Sequence, residues 1–163
     1  MKYDRHYIRN KTKVNLEYNI SKTGEIMVEI KLSYEGDLRC QAVHGPSGQM
    51  IMTDAPKDNH GKGESFSPTD LLATSLASCM MTIMAIYAKK HDFCLKGMTA
   101  RIEKHMIENP RRISRLVLDI CIPKDALPND QRSVIEKVAM TCPVHHSLHP
   151  DIQIDISFDY VSL

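Results

Sequence analysis

The chain has no tryptophan and only three phenylalanines, so aromatic packing cannot dominate its interior. It has no excess of either charge: 21 basic side chains stand against 20 acidic ones. A near-neutral surface gives no electrostatic pull toward nucleic acid or acidic lipid. The stretch MKYDRHYIRNKTK is locally basic, but Asp4 interrupts it and no aromatic platform accompanies it, so a solvated strand face is expected there. Charged residues fill the first 13 positions where the apolar core of a secretory leader would begin, which points to a cytoplasmic protein. The five cysteines, Cys40, Cys79, Cys94, Cys121 and Cys142, are odd in number and widely spaced, unlike a secreted disulfide framework. In a reducing compartment such thiols are core fillers, metal ligands or catalysts. No G-x-S-x-G elbow is present. The glycines of HGKGES lack the lysine-serine ending and the preceding strand of a phosphate-binding loop. No internal repeat or low-complexity segment appears.

What is present reads as α+β. Val14, Leu16, Tyr18 and Ile20 alternate with polar residues, as in a half-buried strand. Residues 21–24 form a turn, and Ile26, Val28, Ile30 and Leu32 resume the alternation, so a hairpin is expected. Leu38, Cys40 and Ala42 suggest a third strand, and residues 50–53 a short fourth. Residues 54–66 are polar and glycine-bearing and form the longest loop, a kind of segment that often carries function. Ser67-Pro68-Thr69-Asp70 then opens a helix, with proline at the first helical position and an acid in the first turn.

That helix, over residues 67–91, carries no charge between residues 71 and 88. Its length is at the threshold for a membrane span. Thr74, Ser75, Ser78, Cys79 and Thr82 dilute its apolarity, so it is expected to be a helix enclosed by protein. Met98, Ala100 and Ile102, then Leu116, Leu118, Ile120 and Ile122, alternate on either side of an Asn109-Pro110 turn. Pro128-Asn129-Asp130 opens a second helix with Val134, Val138 and Cys142 on one face, and Pro143 is expected to stop it. Ile152, Ile154, Ile156, Phe158 and Tyr160 form a last strand. The expected layout is one domain over 1–163: strands over 1–53, the loop over 54–66, the central helix, and strands with a second helix over 92–163. A helix that needs cover on all sides predicts an intertwined homodimer whose sheets wrap helices of both copies.

Read by spacing alone, all five thiols are accounted for as buried structural cysteines, with Cys40, Cys94 and Cys121 the plainest cases. Two motifs add to this. Ser67-Pro68-Thr69-Asp70-Leu71-Leu72-Ala73 followed by Leu76-Ala77-Ser78-Cys79 resembles the central-helix signature of the OsmC/Ohr family. Thr141-Cys142-Pro143-Val144 resembles the family's second cysteine motif. Order and separation match along residues 38–160.

The resemblance implies a thiol peroxidase. Cys79 matches the peroxidatic cysteine that attacks an organic hydroperoxide, and Cys142 the resolving one. It implies an external dithiol as reductant, a lipoyl group in the Ohr branch, and no metal or organic cofactor. Apolar walls including Leu76 and Met80 would suit a hydrocarbon-bearing peroxide. A thiol in an apolar helix needs a cation or strong donors to become a nucleophile. In Ohr-type members an arginine held by a glutamate in the first turn of the central helix serves. Here Thr69 stands at that glutamate's position and the acid follows at Asp70. Arg39 is the candidate arginine, with Arg5 and Arg9 as alternatives, and Glu64 its candidate partner. His44 and His145 are candidate pocket residues, with His146 and His60 behind them. These departures resemble a divergent OsmC-like branch. Two rival functions stand beside this one: metal binding by Cys142, His145, His146 and His149, and an apolar-ligand dimer in which Cys79 only packs.

Overall fold

The computed structural model describes residues 19–20 and 26–162. Arg5, Arg9, most of the first expected strand and its 21–24 turn lie outside the described residues. The chain divides into two compact units, Met1–Ser67 and Pro68–Leu163.

In the first unit β1 (Asn19–Ile20) pairs antiparallel with β2 (Ile26–Met27), the described ends of the expected hairpin. The second run is not one strand. It breaks at Val28 and Glu29, and β3 (Ile30–Gly36) joins a different sheet with β4 (Arg39–His44) and β5 (Met50–Asp54), in the order β3-β4-β5. Leu38, expected in a strand, sits instead in the β3–β4 turn, where it and Asp37 have φ of 61° and 51°. The left-handed backbone there closes a tight hairpin, and β4 starts one residue later, at Arg39. The register places Ile30, Leu32, Tyr34, Cys40, Ala42, His44 and Ile51 on one face. Arg39, Gln41, Val43, Met50, Met52 and Asp54 leave the other face.

In the second unit α1 (Pro68–Lys90) has Asp70 in its first turn and Lys89 and Lys90 in its last, as the helix dipole favours. By length and composition it could cross a bilayer. Here Ala73, Leu76, Ala77, Met80, Met84 and Ala88 form a buried row at helical spacing, packed in the core. The row faces the sheet β6-β7-β8 of β6 (Thr99–Ile107), β7 (Arg112–Pro123) and β8 (Gln153–Val161). Leu116, Leu118, Ile120 and Ile122 of the central strand β7 are all fully buried, as their alternation predicts. Strand β8 runs parallel to β7, so the connection must cross over, and it does so through α2 (Asn129–Ala139) and α3 (Pro143–Ser147). The architecture is therefore α+β with one mixed sheet.

The second helix is shorter than expected. It ends at Ala139, and Pro143 does not stop it but begins α3 as its first residue. Proline fits a first helical turn because the amide it lacks would have no partner there. Cys142 thus caps the start of a helix rather than finishing one.

Candidate active site

Cys79 lies in the middle of α1, one position before the buried Met80, and is half-buried. Cys142 is fully buried in the bend between α2 and α3. The bend is tied back by the Cys142 amide, which donates to the Ala139 carbonyl at 3.2 Å. α1 packs against both α2 and α3. This packing brings the two thiols together, within hydrogen-bonding reach of each other. Burial and this hydrogen bond push the Cys142 thiol above its ordinary range, while the amides of His145 and Val144, directed at its sulfur, pull the other way. Cys142 therefore holds its proton more firmly than a free thiol does.

The surroundings differ from expectation. Leu76 and Met80, expected to line a substrate cleft, are 0% exposed and belong to the core. They share the buried row of α1 that packs in the core. The accessible apolar neighbours of Cys79 at helical spacing are Leu72, Ile83 and Ile86. Cys40 and Cys121 are half-buried, like Cys79, and Cys94 is exposed, so none of the thiols expected to be the plainest core fillers is fully buried. A surface cavity of about 710 Å³ is lined by Phe93, Cys94, Lys124, Leu127 and Arg132, among others, but by neither Cys79 nor Cys142.

Asp70 has another partner. Lys104 of β6 donates to Asp70 Oδ1 at 2.7 Å and to Thr69 Oγ1 at 2.8 Å. Asp70 also lies half a turn around α1 from Cys79 and more than two turns away. The acid therefore ties the start of the helix to the sheet. His145 sits half-buried on α3 with its Nδ1 buried and unpartnered. His149 Nδ1 accepts the Asp151 amide at 3.2 Å. Among the described residues no group of three or more His, Cys, Asp or Glu side chains could hold a metal ion, and nothing in the geometry favours the metal-binding alternative.

In the first unit Arg39 and Asp54 stand directly opposite each other across β4 and β5. Arg39 Nη2 donates to Asp54 Oδ2 at 3.3 Å and also to Glu64. These two acids, Glu64 first, hold the guanidinium above its already high pKa. His44 leaves the opposite face of the sheet and bonds Ser47 Oγ through Nδ1 at 2.6 Å, so it is not brought to Arg39. His60 is exposed in the loop. Two residues were missed from sequence. Lys104 looks like one polar position of an alternating strand. Asp54 looks like the solvated first residue of a polar loop, yet it is 1% exposed.

Comparison with known proteins places this geometry. The OsmC-like protein family matches residues 61–157. The crystal structure of a Psychrobacter arcticus protein, described as an osmotic stress induced and detoxification response protein, is 46% identical. It covers 82% of this chain and 97% of its own, with a TM-score of 0.77. A Legionella pneumophila organic hydroperoxide resistance protein OsmC is 15% identical over 82% of this chain and 96% of its own, at a TM-score of 0.64. An organic hydroperoxide resistance protein from Elizabethkingia anophelis is 16% identical over 84% of this chain and 98% of its own, also at 0.64. These last two show likeness of fold. No curated protein matches the chain. From the family match and the 46% identical relative together, the chain belongs to the OsmC-like protein family.

Proposed function

We propose that the protein reduces organic hydroperoxides through Cys79 and Cys142 and is regenerated by an external dithiol. The observation that carries this is the hydrogen-bonding approach of Cys142 and Cys79, residues remote in the chain. Family membership supports a role in redox or peroxide chemistry.

The steps follow from the closeness of the two thiols. The Cys79 thiolate attacks one peroxide oxygen and the O–O bond breaks. The alkoxide leaves and takes a proton to become an alcohol, and Cys79 becomes a sulfenic acid. Cys142 is already beside that sulfur and still carries its proton. Its sulfur displaces the hydroxyl, which leaves with the proton as water, and a Cys79–Cys142 disulfide forms. A dithiol of lipoyl type then exchanges with that bond and restores both thiols. Arg39, held by Asp54 and Glu64, is the candidate cation that favours the Cys79 thiolate. His145 is a candidate contact for the substrate's polar end, because its buried Nδ1 has no partner. The chemistry needs no metal or organic cofactor, and it suits the reducing cytoplasm.

The working unit is proposed to be a homodimer. On α1, Thr74, Ser78, Thr82, Ala85 and Ile86 remain exposed. Ser78 and Thr82 turn their hydroxyls back to the carbonyls of Thr74 and Ser78, at 2.8 and 2.7 Å. This leaves a surface of small groups that a neighbouring copy could approach closely.

Stopped-flow reduction of cumene hydroperoxide with a dithiol tests the chemistry. Cys79→Ser should abolish turnover. Cys142→Ser should keep one round of oxidation and lose the disulfide. Turnover by Cys79→Ser at the parent rate would contradict the assignment.

A further inference from the structure

The connection out of α1 and the connection into α2 both line one cavity, which the chemistry above does not use. The chain leaves α1 through Asp92, whose φ of 61° turns it back, and the Phe93 amide donates to the Ala88 carbonyl at 2.8 Å. Past β7 the Ala126 amide donates to the Pro123 carbonyl at 2.9 Å, and Pro128 stands as the N-cap of α2. The cavity lined by these two turns, about 710 Å³, falls within the range of roughly 300–1,000 Å³ that small-molecule sites occupy. All of its lining residues belong to the second unit. Leu127, which is buried, and Phe93, which is half-buried, give it an apolar part.

Arg132 of α2 lines the same cavity and differs from the other described arginines. Arg39, Arg101, Arg111, Arg112 and Arg115 each form an ion pair with a carboxylate. Arg132 forms none among the described residues. Its guanidinium lies over the Tyr160 ring, 4.2 Å from the centroid, and its Nη2 donates to the Lys124 carbonyl at 3.4 Å. The ring and the carbonyl orient the charge without neutralising it. The Nε of Arg132 is buried and has no hydrogen-bond partner. A buried donor on a charged group is costly to leave unsatisfied. Further donors stand nearby. Pro128 has no side-chain oxygen, so the opening amides of α2 have no side-chain cap, and Asn129, the first residue of that helix, lines the cavity.

The charges of the lining select the ligand. Lys124 and Arg132 stand against Asp92 and Asp125, so the lining is neutral as a whole. Asp92, Lys124 and Asp125 are exposed, where water and salt screen them, and Arg132 is the half-buried charge. A polyanion such as a nucleoside diphosphate would meet two carboxylates as well as two cations, whereas a single negative charge needs only Arg132. The planar fork of an arginine matches a carboxylate. We propose that this cavity binds a small organic monocarboxylate, with its charge on Arg132 and the opening amides of α2 and its short hydrocarbon body on Phe93 and Leu127. The site stands apart from the peroxide chemistry, because neither Cys79 nor Cys142 lines it.

Cys94 lines the cavity and is exposed, so its thiol reports occupancy. The full-length reduced protein is treated with iodoacetamide at constant ionic strength and rising millimolar sodium hexanoate, and alkylation of each cysteine is followed by peptide mass spectrometry. Hexanoate should slow the alkylation of Cys94 saturably and leave the rate at Cys79 unchanged. Hexanamide has the same shape without the charge and should protect about tenfold less well, the worth of a charge-assisted hydrogen bond. Inorganic phosphate should also protect less well than hexanoate. Arg132→Gln should raise the half-protecting concentration of hexanoate by about tenfold or more, and Lys124→Gln, at an exposed position, by less. If Arg132→Gln does not fold, as judged by circular dichroism, Arg132→Lys takes its place; it keeps the charge but loses the fork, and should weaken protection several-fold. Cys94 left unprotected, equal protection by hexanamide, stronger protection by phosphate, or a folded Arg132 variant protected like the parent would each overturn the proposal.

Discussion

At Cys142, burial and the hydrogen bond to Cys79 hold the thiol's pKa up, and two backbone amides work against them. The sign has a consequence for stability. A group whose folded pKa is raised keeps its proton where the unfolded chain has released it, so its contribution is full below the unfolded value of about 8.5. The contribution is lost as pH rises through that value toward the folded one. Urea unfolding between pH 7 and 10 should therefore show falling stability in the parent, and a flatter profile in Cys142→Ser. Equal slopes would contradict the raised pKa. The residues of the cysteine pair were legible in sequence through their motifs. Their approach to each other was not, because it depends on the bend at Cys142, where Pro143 begins a helix instead of ending one. Asp54 was illegible for a related reason. Only the register that sets it opposite Arg39 shows that an acid ending a strand of Met, Ile and Thr is buried.

Among the elements, α1 was the most legible. Ser67-Pro68 and Asp70 mark its start, and the lysines Lys89 and Lys90 lie in its last turn. The alternation of β7 likewise fixed which of its side chains are buried. Strand breaks were less visible, since the alternation over residues 26–32 continues unchanged across Val28 and Glu29 while the chain passes from one sheet to another. The pattern records which face a side chain takes, and not which sheet its backbone joins. The Lys104–Asp70 pair joins β6 to α1 and belongs to this scale, with Lys104 17% and Asp70 41% exposed. Asp70→Asn should destabilise the protein by about 1 kcal/mol, near the top of the range for partly exposed pairs. Thermal unfolding measures this. The rate of peroxide oxidation should be unchanged, because Asp70 is on the far side of α1 from Cys79. A large loss of rate with unaltered stability would return Asp70 to the catalytic set.

For the whole molecule, the principal feature is apolar surface that stands exposed among the described residues. On the β3-β4-β5 sheet Ile30, Leu32, Tyr34 and Ile51 share a face, and Leu32 is 70% exposed. Contiguous apolar surface of this kind marks an interaction site. The exposed row on α1, of small hydroxyl-bearing groups with Ala85 and Ile86, is a second exposed surface. Both are accounted for if a second copy of the chain covers them. The parent should sediment as a dimer at micromolar concentration, and Leu32→Glu, which places a charge on the sheet face, should shift it toward monomer. A monomeric parent would contradict the dimer.

The most direct measurement of the central claim is peptide mapping by mass spectrometry, without reduction, after one equivalent of cumene hydroperoxide. The account predicts a single new linkage, a disulfide joining the peptides that carry Cys79 and Cys142, with the alcohol released in equal amount. Cys79 recovered unmodified, or oxidised while Cys142 remains a free thiol, would contradict it.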